Sequence, residues 1–230
     1  MAGPPDAWRL VSHGLSHVGL VRPRNEDGFL DRPDRGLWAV ADGMGGHEAG
    51  DYASGRIVAA LDSIAPPAGL ERFCDAAEER LRLVDGELRA RAAALRPGAV
   101  IASTVVVLFA RPPEIAWLWA GDSRLYRMRD GALTQLTTDH SRVQELVSAG
   151  LLRAEAAAGH PDAHIVTQAI GGGRLAFGRS VNGLLQGDRL LLCSDGLTNM
   201  VADAEIAREL SRALPRAAAE RLLERVLRRG

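Results

Sequence analysis

Short apolar runs fall into neighbouring groups along the chain, and this grouping constrains the fold more than any other feature. The runs cover residues 36–41, 103–110, 115–120, 125–128 and 188–194, which are lengths typical of β-strands. Residues 126–136 (YRMRDGALTQL) predict a hairpin that turns at an Asp-Gly pair. Because strands occur in groups with helices between and after them, the sequence predicts an α+β layered domain, not a regular βαβ alternation.

Apolar residues recur at helical spacing in three further parts of the chain. The spacing predicts helices over residues 49–64 and 70–95. A third stretch, 206–227, divides into two helices near Pro215, because proline does not continue a helix. Residues 139–170 have mixed polar and helical character and interrupt the series of strands. We interpret them as an inserted, mobile surface element.

Composition narrows the class of protein. The chain has 230 residues, of which 47% are hydrophobic and 25% are charged, as expected for one globular domain over residues 1–230. The net charge is −1 and every basic residue is arginine, so neither nucleic acid nor an anionic membrane is an expected partner. The longest strongly apolar run, 105–110, is far shorter than the ~20 residues of a membrane span, and no secretory signal is visible. Cys74 and Cys193 form neither a disulfide framework nor a zinc pattern, which predicts a reducing, cytoplasmic location.

Acidic residues stand at the ends of several apolar runs. Asp42, Asp122 and Asp195 each close one, and Glu26 and Asp27 lie further upstream. A buried carboxylate needs a compensating positive charge, and several carboxylates in one place raise each other's pKa. Mg²⁺ or Mn²⁺ would satisfy both conditions, because these cations prefer oxygen ligands. Two neighbouring ions can also activate a water and clamp a phosphoryl group.

A simpler interpretation exists for each acidic residue taken alone. Asp-Gly is a common turn pair, and Asp130 with Gly131 is expected to form only a turn. Asp122, which precedes Ser123 and Arg124, could equally cap a turn. The spacing of the whole set therefore carries more weight than any one pair.

Seven short motifs occur in a fixed order along this chain: RPRNED (22–27), ADGMGGH (41–47), ST (103–104), AGDSR (120–124), TDHS (138–141), QAIG (168–171) and CSDGL (193–197). In this order they resemble the motifs of the metal-dependent Ser/Thr protein phosphatases, the PPM or type 2C family, in its compact bacterial form. The resemblance runs from about residue 14 to residue 201. It implies a four-layer αββα sandwich, in which two antiparallel sheets pack face to face between outer helices.

The resemblance also implies a metal site for Mn²⁺ or Mg²⁺, with two ions and a third, weaker one. Asp42 would bridge the two ions, and the Gly43 carbonyl would add a ligand. Glu26 would reach the same metal, often through water, with Asp27 as its supporting neighbour. Asp195 would bind the other ion and Asp122 the third. The residues expected to hold metal are thus Glu26, Asp27, Asp42, Gly43, Asp122 and Asp195.

Catalysis in such a site would use Arg22, Asp42 and Asp195. Arg22 would bind the substrate phosphate with its planar fork of donors, although a solvated surface arginine is the plain alternative. A water that bridges the two metals would attack phosphorus directly, and no cysteine would act as nucleophile. Residues 139–170 would form the flap beside the active site that contributes to substrate choice.

Two departures from the family pattern are visible. Some relatives use a histidine as general acid where this chain has Met44, whose thioether cannot donate a proton. His47 and His140 are the candidate substitutes, with a local hydrogen bond as the alternative for each. The family chain also continues into a Gly-x-Asp-Asn segment and a closing strand. This sequence ends at Gly230, about where that segment is expected to begin, so we expect a weaker metal site and an open strand edge.

The favoured interpretation is a phosphatase for phosphoserine and phosphothreonine in proteins, which reverses a bacterial Ser/Thr kinase. Expected partners are phosphorylated proteins, a cognate Ser/Thr kinase and, by analogy only, type VI secretion components; the protein is expected to be a monomer. One alternative is a pseudophosphatase or phosphoprotein-binding scaffold with an impaired metal site. Another is a phosphatase for a small molecule.

Overall fold

Two antiparallel sheets form the centre of the molecule. The computed structural model describes residues 8–45, 49–157 and 159–230. Its strands are β1 (Asp27–Arg32), β2 (Leu37–Met44), β3 (Ala102–Ser103), β4 (Val105–Arg111), β5 (Glu114–Ala120), β6 (Arg124–Arg129), β7 (Ala132–Gln135), β8 (Gly178–Gly183) and β9 (Arg189–Cys193). The first sheet has the order β1-β2-β4-β5-β8, with β3 paired to β2, and the second has the order β7-β6-β9. All pairings within these sheets are antiparallel.

The helices lie outside the sheets or in the connections. They are α1 (Ala49–Asp62), α2 (Leu70–Leu95), α3 (Arg142–Ser148), α4 (Ala154–Ala157), α5 (Asp195–Thr198), α6 (Asp203–Arg212) and α7 (Pro215–Arg229). A 3₁₀ turn covers Pro161–His164. Pro215 occupies the first turn of α7, where its missing N–H costs no helical hydrogen bond. The predicted break between the two C-terminal helices is therefore confirmed.

Alternation of side chains along β4 explains why its sequence is apolar throughout. Val105, Val107 and Phe109 pack against α1 and α2. Val106 and Leu108 point the other way and pack between the two sheets, together with residues of β6 and β9. Because successive side chains of a strand face opposite sides, a strand covered on both faces has no polar positions. The 103–110 run is thus a central strand.

Three apolar clusters separate four layers. The first fills the space between the first sheet and helices α1 and α2, and the second lies between the sheets. The third joins the second sheet to α6 and α7 through Met128, Ile206 and Leu222. The expected αββα sandwich is confirmed, and so is the hairpin turn, where Asp130 has a φ of 50° and joins β6 to β7.

The sequence does not predict two of the strands. Strands β1 (DGFLDR) and β8 (GRSVNG) are rich in glycine and charged residues and have mostly exposed or half-buried positions. They lie at the two edges of the first sheet, where only one neighbour contributes backbone hydrogen bonds. An edge strand needs less apolar surface than a central one, so its sequence lacks the usual apolar pattern.

The segment 139–170 folds as short pieces. It contains α3, α4 and the 3₁₀ turn, and isolated bridges join Ser141 to Val166 and Ser103 to Ile170. Its beginning is also tied to β6, because Asp139 accepts a bidentate hydrogen bond from Arg124 at 2.6–3.1 Å. The segment is therefore anchored at both ends, while its role as a flap stays a prediction.

Helix α2 is long enough to cross a membrane but too polar. In the ranges that the structure describes, no helix combines the length and the apolar character of a membrane span.

Truncation of a buried leucine in α2 should destabilise the domain much more than truncation of its exposed neighbour. Leu81 is fully buried, and Leu83 in the same helix is 61% exposed. We expect Leu81→Ala to lower the free energy of unfolding by about 2–5 kcal/mol, because it leaves a cavity. The matched control Leu83→Ala should change it by less than about 0.5 kcal/mol. Urea unfolding followed by circular dichroism measures both, and equal losses would contradict the placement of this helix.

Candidate active site

Two of the predicted acidic residues are direct neighbours across a strand pair. In the register of β1 and β2, Asp27 lies opposite Asp42. Asp42 follows Trp38 and Val40 on the side of β2 that faces the second sheet, and both of these pack in the cluster between the sheets. The two carboxyl groups therefore meet at the rim of the inter-sheet core.

The second sheet delivers a third carboxyl group to the same place. Asp195 begins α5, directly after β9, and its carboxyl group lies close enough to that of Asp42 to raise the pKa of Asp42. The preceding Ser194 donates a hydrogen bond from Oγ to Oδ2 of Asp27 at 3.0 Å. Residues more than 150 positions apart in the sequence are thus joined by contacts between the ends of β1, β2 and β9.

Burial and mutual repulsion perturb this carboxyl cluster strongly. Burial, followed by the charges of Asp27 and Asp195, raises the pKa of Asp42 to about 9. Burial is also the largest cause of the raised pKa of Asp27, which the charge of Asp195 raises further. Asp122 follows β5, and burial together with the charge of Asp195 raises its pKa to about 6. These groups carry more negative charge than the protein around them balances.

Glu26 approaches the cluster from the chain before β1. Its backbone carbonyl accepts a hydrogen bond from the N–H of Gly43 at 3.1 Å. Its Oε1 atom is buried and has no hydrogen-bond partner among the described residues. A Cβ atom at Gly50 would lie 2.5 Å from this oxygen, so only glycine at the start of α1 leaves room for the carboxyl group.

Gly43 also lies where a side chain would not fit. A Cβ atom at this position would overlap the backbone carbonyl oxygens of Gly50 and Glu26. The absence of a side chain lets β2, the residues before β1 and the start of α1 approach closely. Gly43 thus brings Glu26 beside Asp42.

Thr104 and Ser123 hold the backbone beside the acidic cluster through hydrogen bonds. The backbone N–H of Asp42 donates to Oγ1 of Thr104 at 3.2 Å, and its carbonyl accepts from the N–H of Thr104 at 2.9 Å. Oγ1 of Thr104 also contacts Oγ of Ser123 at 2.7 Å. The first contact fixes the backbone of Asp42, and the second links it to the residue after Asp122.

Arg22 lies beside the cluster at the surface. Its side chain is 77% exposed, and Nη1 is 4.0 Å from Oε2 of Glu26. The long side chain can therefore reach a group bound in front of the carboxylates without first leaving a buried pocket. Exposure alone is equally compatible with a solvated arginine, so its phosphate-binding role stays a prediction.

The structure describes only one of the two candidate general acids, His47 and His140. His47 lies outside the described residues. His140 is half-buried and stacks on Trp119, with ring centroids 5.7 Å apart. Its Nδ1 accepts a hydrogen bond from the N–H of Gly121 at 3.3 Å, and burial lowers its pKa. These contacts occupy His140 in holding the turn before Asp122, as the local hydrogen-bond alternative predicts.

All of the predicted site residues border one cavity of about 1,360 Å³. The acidic residues occupy one part of it together with Met44, the last residue of β2. Other parts are lined by apolar residues of β9 and α7. The predicted residues, which lie far apart in the sequence, therefore share one accessible space, as a common site requires.

The donor set fits hard divalent cations. Carboxylate oxygens are the ligands that Mg²⁺ and Mn²⁺ prefer, and Oε1 of Glu26 is a buried acceptor without a donor in the described part of the chain. Within residues 8–45, 49–157 and 159–230, no three histidine, cysteine or acidic side chains form a ready-made metal cage. The charge of Asp195 raises the pKa of Asp42, so these two carboxyl groups lie close together. The fit therefore rests on the charge and chemistry of the donors.

Sequence reasoning missed the polar residues that support the cluster. Thr104, Ser123 and Ser194 all lie within the quoted motifs but received no role. Each directly follows or precedes a strand, and that position is the only local signal that could have singled them out. The hydrogen bonds of Thr104 with Asp42, of Ser194 with Asp27 and of Ser123 with Thr104 all join segments that are distant in the sequence.

Comparison with known proteins decides the family. The family model described as "Protein phosphatase 2C" matches residues 14–229. This chain belongs to that family. The Serine/threonine protein phosphatase PstP of Mycobacterium tuberculosis is 36% identical over 198 residues, which cover 85% of this chain and 38% of PstP. The chain thus spans less than half the length of that relative.

Solved structures of family members share the fold. PppA, a key regulatory component of T6SS in Pseudomonas aeruginosa, aligns with a TM-score of 0.87 and 42% identity, over 94% of this chain and 90% of PppA. The catalytic domain of PstP in complex with 2 manganese ions aligns with a TM-score of 0.79 and 36% identity, over 94% of this chain and 90% of that one. A type 2C relative with the same fold therefore binds manganese.

Without divalent cations, the stability of this protein should fall as the pH rises. Burial and the charges of neighbouring carboxylates raise the pKa of Asp42 from its ordinary value of 3.8 to about 9, so the folded state holds this proton more tightly than the unfolded state does. The proton on Asp42 therefore stabilises the folded state fully below the pKa of the unfolded state. This stabilisation is lost progressively as the pH rises to the pKa of the folded state. In EDTA, the Tm should therefore decrease between about pH 5 and about pH 8. Mn²⁺ should restore more of the Tm at the higher pH.

The variant Asp42→Asn isolates this effect. It removes the titrating carboxyl group itself, so its Tm in EDTA should depend less on pH than that of the wild type, and Mn²⁺ should raise it less. For a domain of this size, about 1 kcal/mol corresponds to about 2–4 °C. Asp51→Asn, which changes an exposed carboxyl group on α1, is the matched control. If both variants keep the wild-type pH slope, the described electrostatics of Asp42 are wrong.

Proposed function

We propose that this protein is a Mn²⁺- or Mg²⁺-dependent phosphatase that hydrolyses phosphoserine and phosphothreonine in proteins. The observation that carries the proposal is the convergence of Asp27, Asp42 and Asp195 from both sheets. Burial, followed by the charges of Asp27 and Asp195, raises the pKa of Asp42 to about 9. Family membership over residues 14–229 supports the same activity.

Glu26, Asp27, Asp42, the Gly43 carbonyl, Asp122 and Asp195 are the residues that would hold the cations. We assign a two-ion site to the group around Asp42 and Asp195, as the manganese complex of a relative suggests, and a third, weaker ion to Asp122. When bound, such cations polarise phosphoryl oxygens and make water a nucleophile near neutral pH. The choice between Mn²⁺ and Mg²⁺ is part of the proposal.

The chain's own residues would orient the substrate and set the charge of the site. Arg22 would bind the phosphate through its guanidinium fork, a geometry that suits two phosphate oxygens. Burial and the neighbouring carboxyl groups raise the pKa of Asp42 to about 9, so Asp42 must lose its proton before it can act as an anionic ligand. Met44 donates no proton to the leaving oxygen. Neither Cys74 nor Cys193 would act as a nucleophile, since both are buried and burial raises their thiol pKa values to about 11 and about 12.

Experiments can distinguish two other functions from a protein phosphatase. A pseudophosphatase or phosphoprotein-binding scaffold would bind a phosphopeptide without hydrolysing it. The perturbed pKa values favour an active site, because a purely structural protein gains nothing from buried carboxylates that repel each other. A small-molecule phosphatase would prefer a free phosphate ester to a phosphopeptide, and a substrate panel separates the two.

The cellular role proposed here is reversal of a bacterial Ser/Thr kinase in the cytoplasm, by a monomer. Components of a type VI secretion system are the candidate partners, since PppA, with 42% identity, is a regulatory component of T6SS. The residues 139–170 would form the flap beside the active site and contribute to substrate choice.

Hydrolysis of a phosphothreonine peptide should require Mn²⁺ or Mg²⁺ and should stop in EDTA. We expect Asp42→Asn to lower kcat by about a thousandfold, which corresponds to about 4 kcal/mol of transition-state stabilisation. Phosphate release measured with and without added cation checks this. Asp51→Asn should retain wild-type activity. Hydrolysis that persists in EDTA, or unchanged kcat in Asp42→Asn, would refute the mechanism.

Arg22→Ala should mainly weaken substrate binding. The loss of a charge-assisted hydrogen bond to phosphate should raise KM for p-nitrophenyl phosphate by about tenfold or more. Arg72→Ala, which removes an exposed arginine from the outer helix α2, serves as the control. If both variants keep the wild-type KM, Arg22 is a solvated surface residue.

A further inference from the structure

A second concentration of arginines lies on the outer surface, between α6 and α7. The groove there has a volume of about 430 Å³ and is lined by Arg208, Arg212, Arg221, Arg225 and Arg228. Only two acidic residues, Glu209 and Glu224, share its lining. The whole chain has a net charge of −1, so this α6–α7 arginine groove is a local excess of positive charge.

Glu209 of α6 contacts two arginines of the α7 wall. Its side chain is only 6% exposed, and its Oε1 accepts hydrogen bonds from Arg225 at 2.5 Å and 3.1 Å. Arg221 contacts the same carboxylate at 3.7 Å. One buried carboxylate thus holds two guanidinium groups in place, and Arg225 also donates from Nη1 to Oε1 of Glu205 at 3.1 Å. Because a guanidinium has five N–H donors, both groups keep some of them for a ligand. Glu224 is already occupied, because it pairs with Arg228.

The α6 wall of the groove carries two arginines without an acidic partner among the described residues. Arg208 and Arg212 are exposed and one helical turn apart on α6. Across the part of the chain that the structure describes, no carboxylate lies within ion-pair distance of either side chain. Like charges at this spacing repel each other on a helix. A bound anion would relieve that repulsion.

We propose that the α6–α7 arginine groove binds a phosphorylated segment of a protein. Guanidinium forks match the oxygens of a phosphate dianion, and the volume suits one or two phosphorylated side chains. A nucleic acid fits less well, since the chain is nearly neutral. Such a groove would hold a multiply phosphorylated protein by one phosphate while another is presented to the catalytic site. The proposal extends the proposed function but does not depend on its chemistry.

Binding should be measured where no hydrolysis occurs. In EDTA, fluorescence anisotropy of a labelled peptide with two phosphothreonines reports binding, and the acidic cluster repels phosphate under these conditions. We expect the double variant Arg208→Gln/Arg212→Gln to weaken binding by about tenfold or more. The control Arg72→Gln/Arg80→Gln makes the same change of charge at exposed positions on α2 and should bind like the wild type. The unphosphorylated peptide should not bind.

Several results would overturn the proposal: no binding by the wild type, equal loss in both double variants, or tighter binding of single-stranded DNA. Stronger affinity for inorganic phosphate than for the phosphopeptide would also do so. Hydrolysis of p-nitrophenyl phosphate with Mn²⁺ should be unchanged in Arg208→Gln/Arg212→Gln. Failure of that activity in the wild type would refute the proposed phosphatase function, whereas the binding measurement tests the groove alone.

Discussion

Repulsion between carboxylates that the fold forces together is the constraint on which the site depends. Antiparallel pairing of β1 with β2 places Asp27 opposite Asp42, and packing of the second sheet brings Asp195 against both. Apolar packing between the sheets must supply the free energy that holds these charges at the rim of the core. The αββα sandwich is therefore a scaffold that keeps an unfavourable cluster in place.

This arrangement also explains the glycines and hydroxyl groups around the cluster. Gly43 and Gly50 let the backbone approach closely enough for Glu26 to reach the same space. Thr104 and Ser194 fix the positions of Asp42 and Asp27. Small and polar residues thus take the places next to the carboxylates, and the large apolar residues lie deeper between the sheets.

The sequence predicts the parts of this protein that depend on local periodicity. The apolar run of β4 and the helical spacing of α2 reveal their burial, because each strand or helix must cover a continuous apolar face. Strands β1 and β8 lie at sheet edges and lack that pattern, although β1 carries Asp27. The acidic residues were recognisable by their motifs and their places at strand ends. The supporting roles of Ser123 and Ser194 arise only when distant segments meet.

Diffraction from crystals grown with Mn²⁺, collected at the manganese absorption edge, tests the central claim most directly. Anomalous difference peaks should lie between the carboxylates of Asp42 and Asp195, with Glu26 or Asp27 on the same side. Peaks confined to other surfaces, or side chains of Asp42 and Asp195 that point away from each other, would contradict a shared cation site.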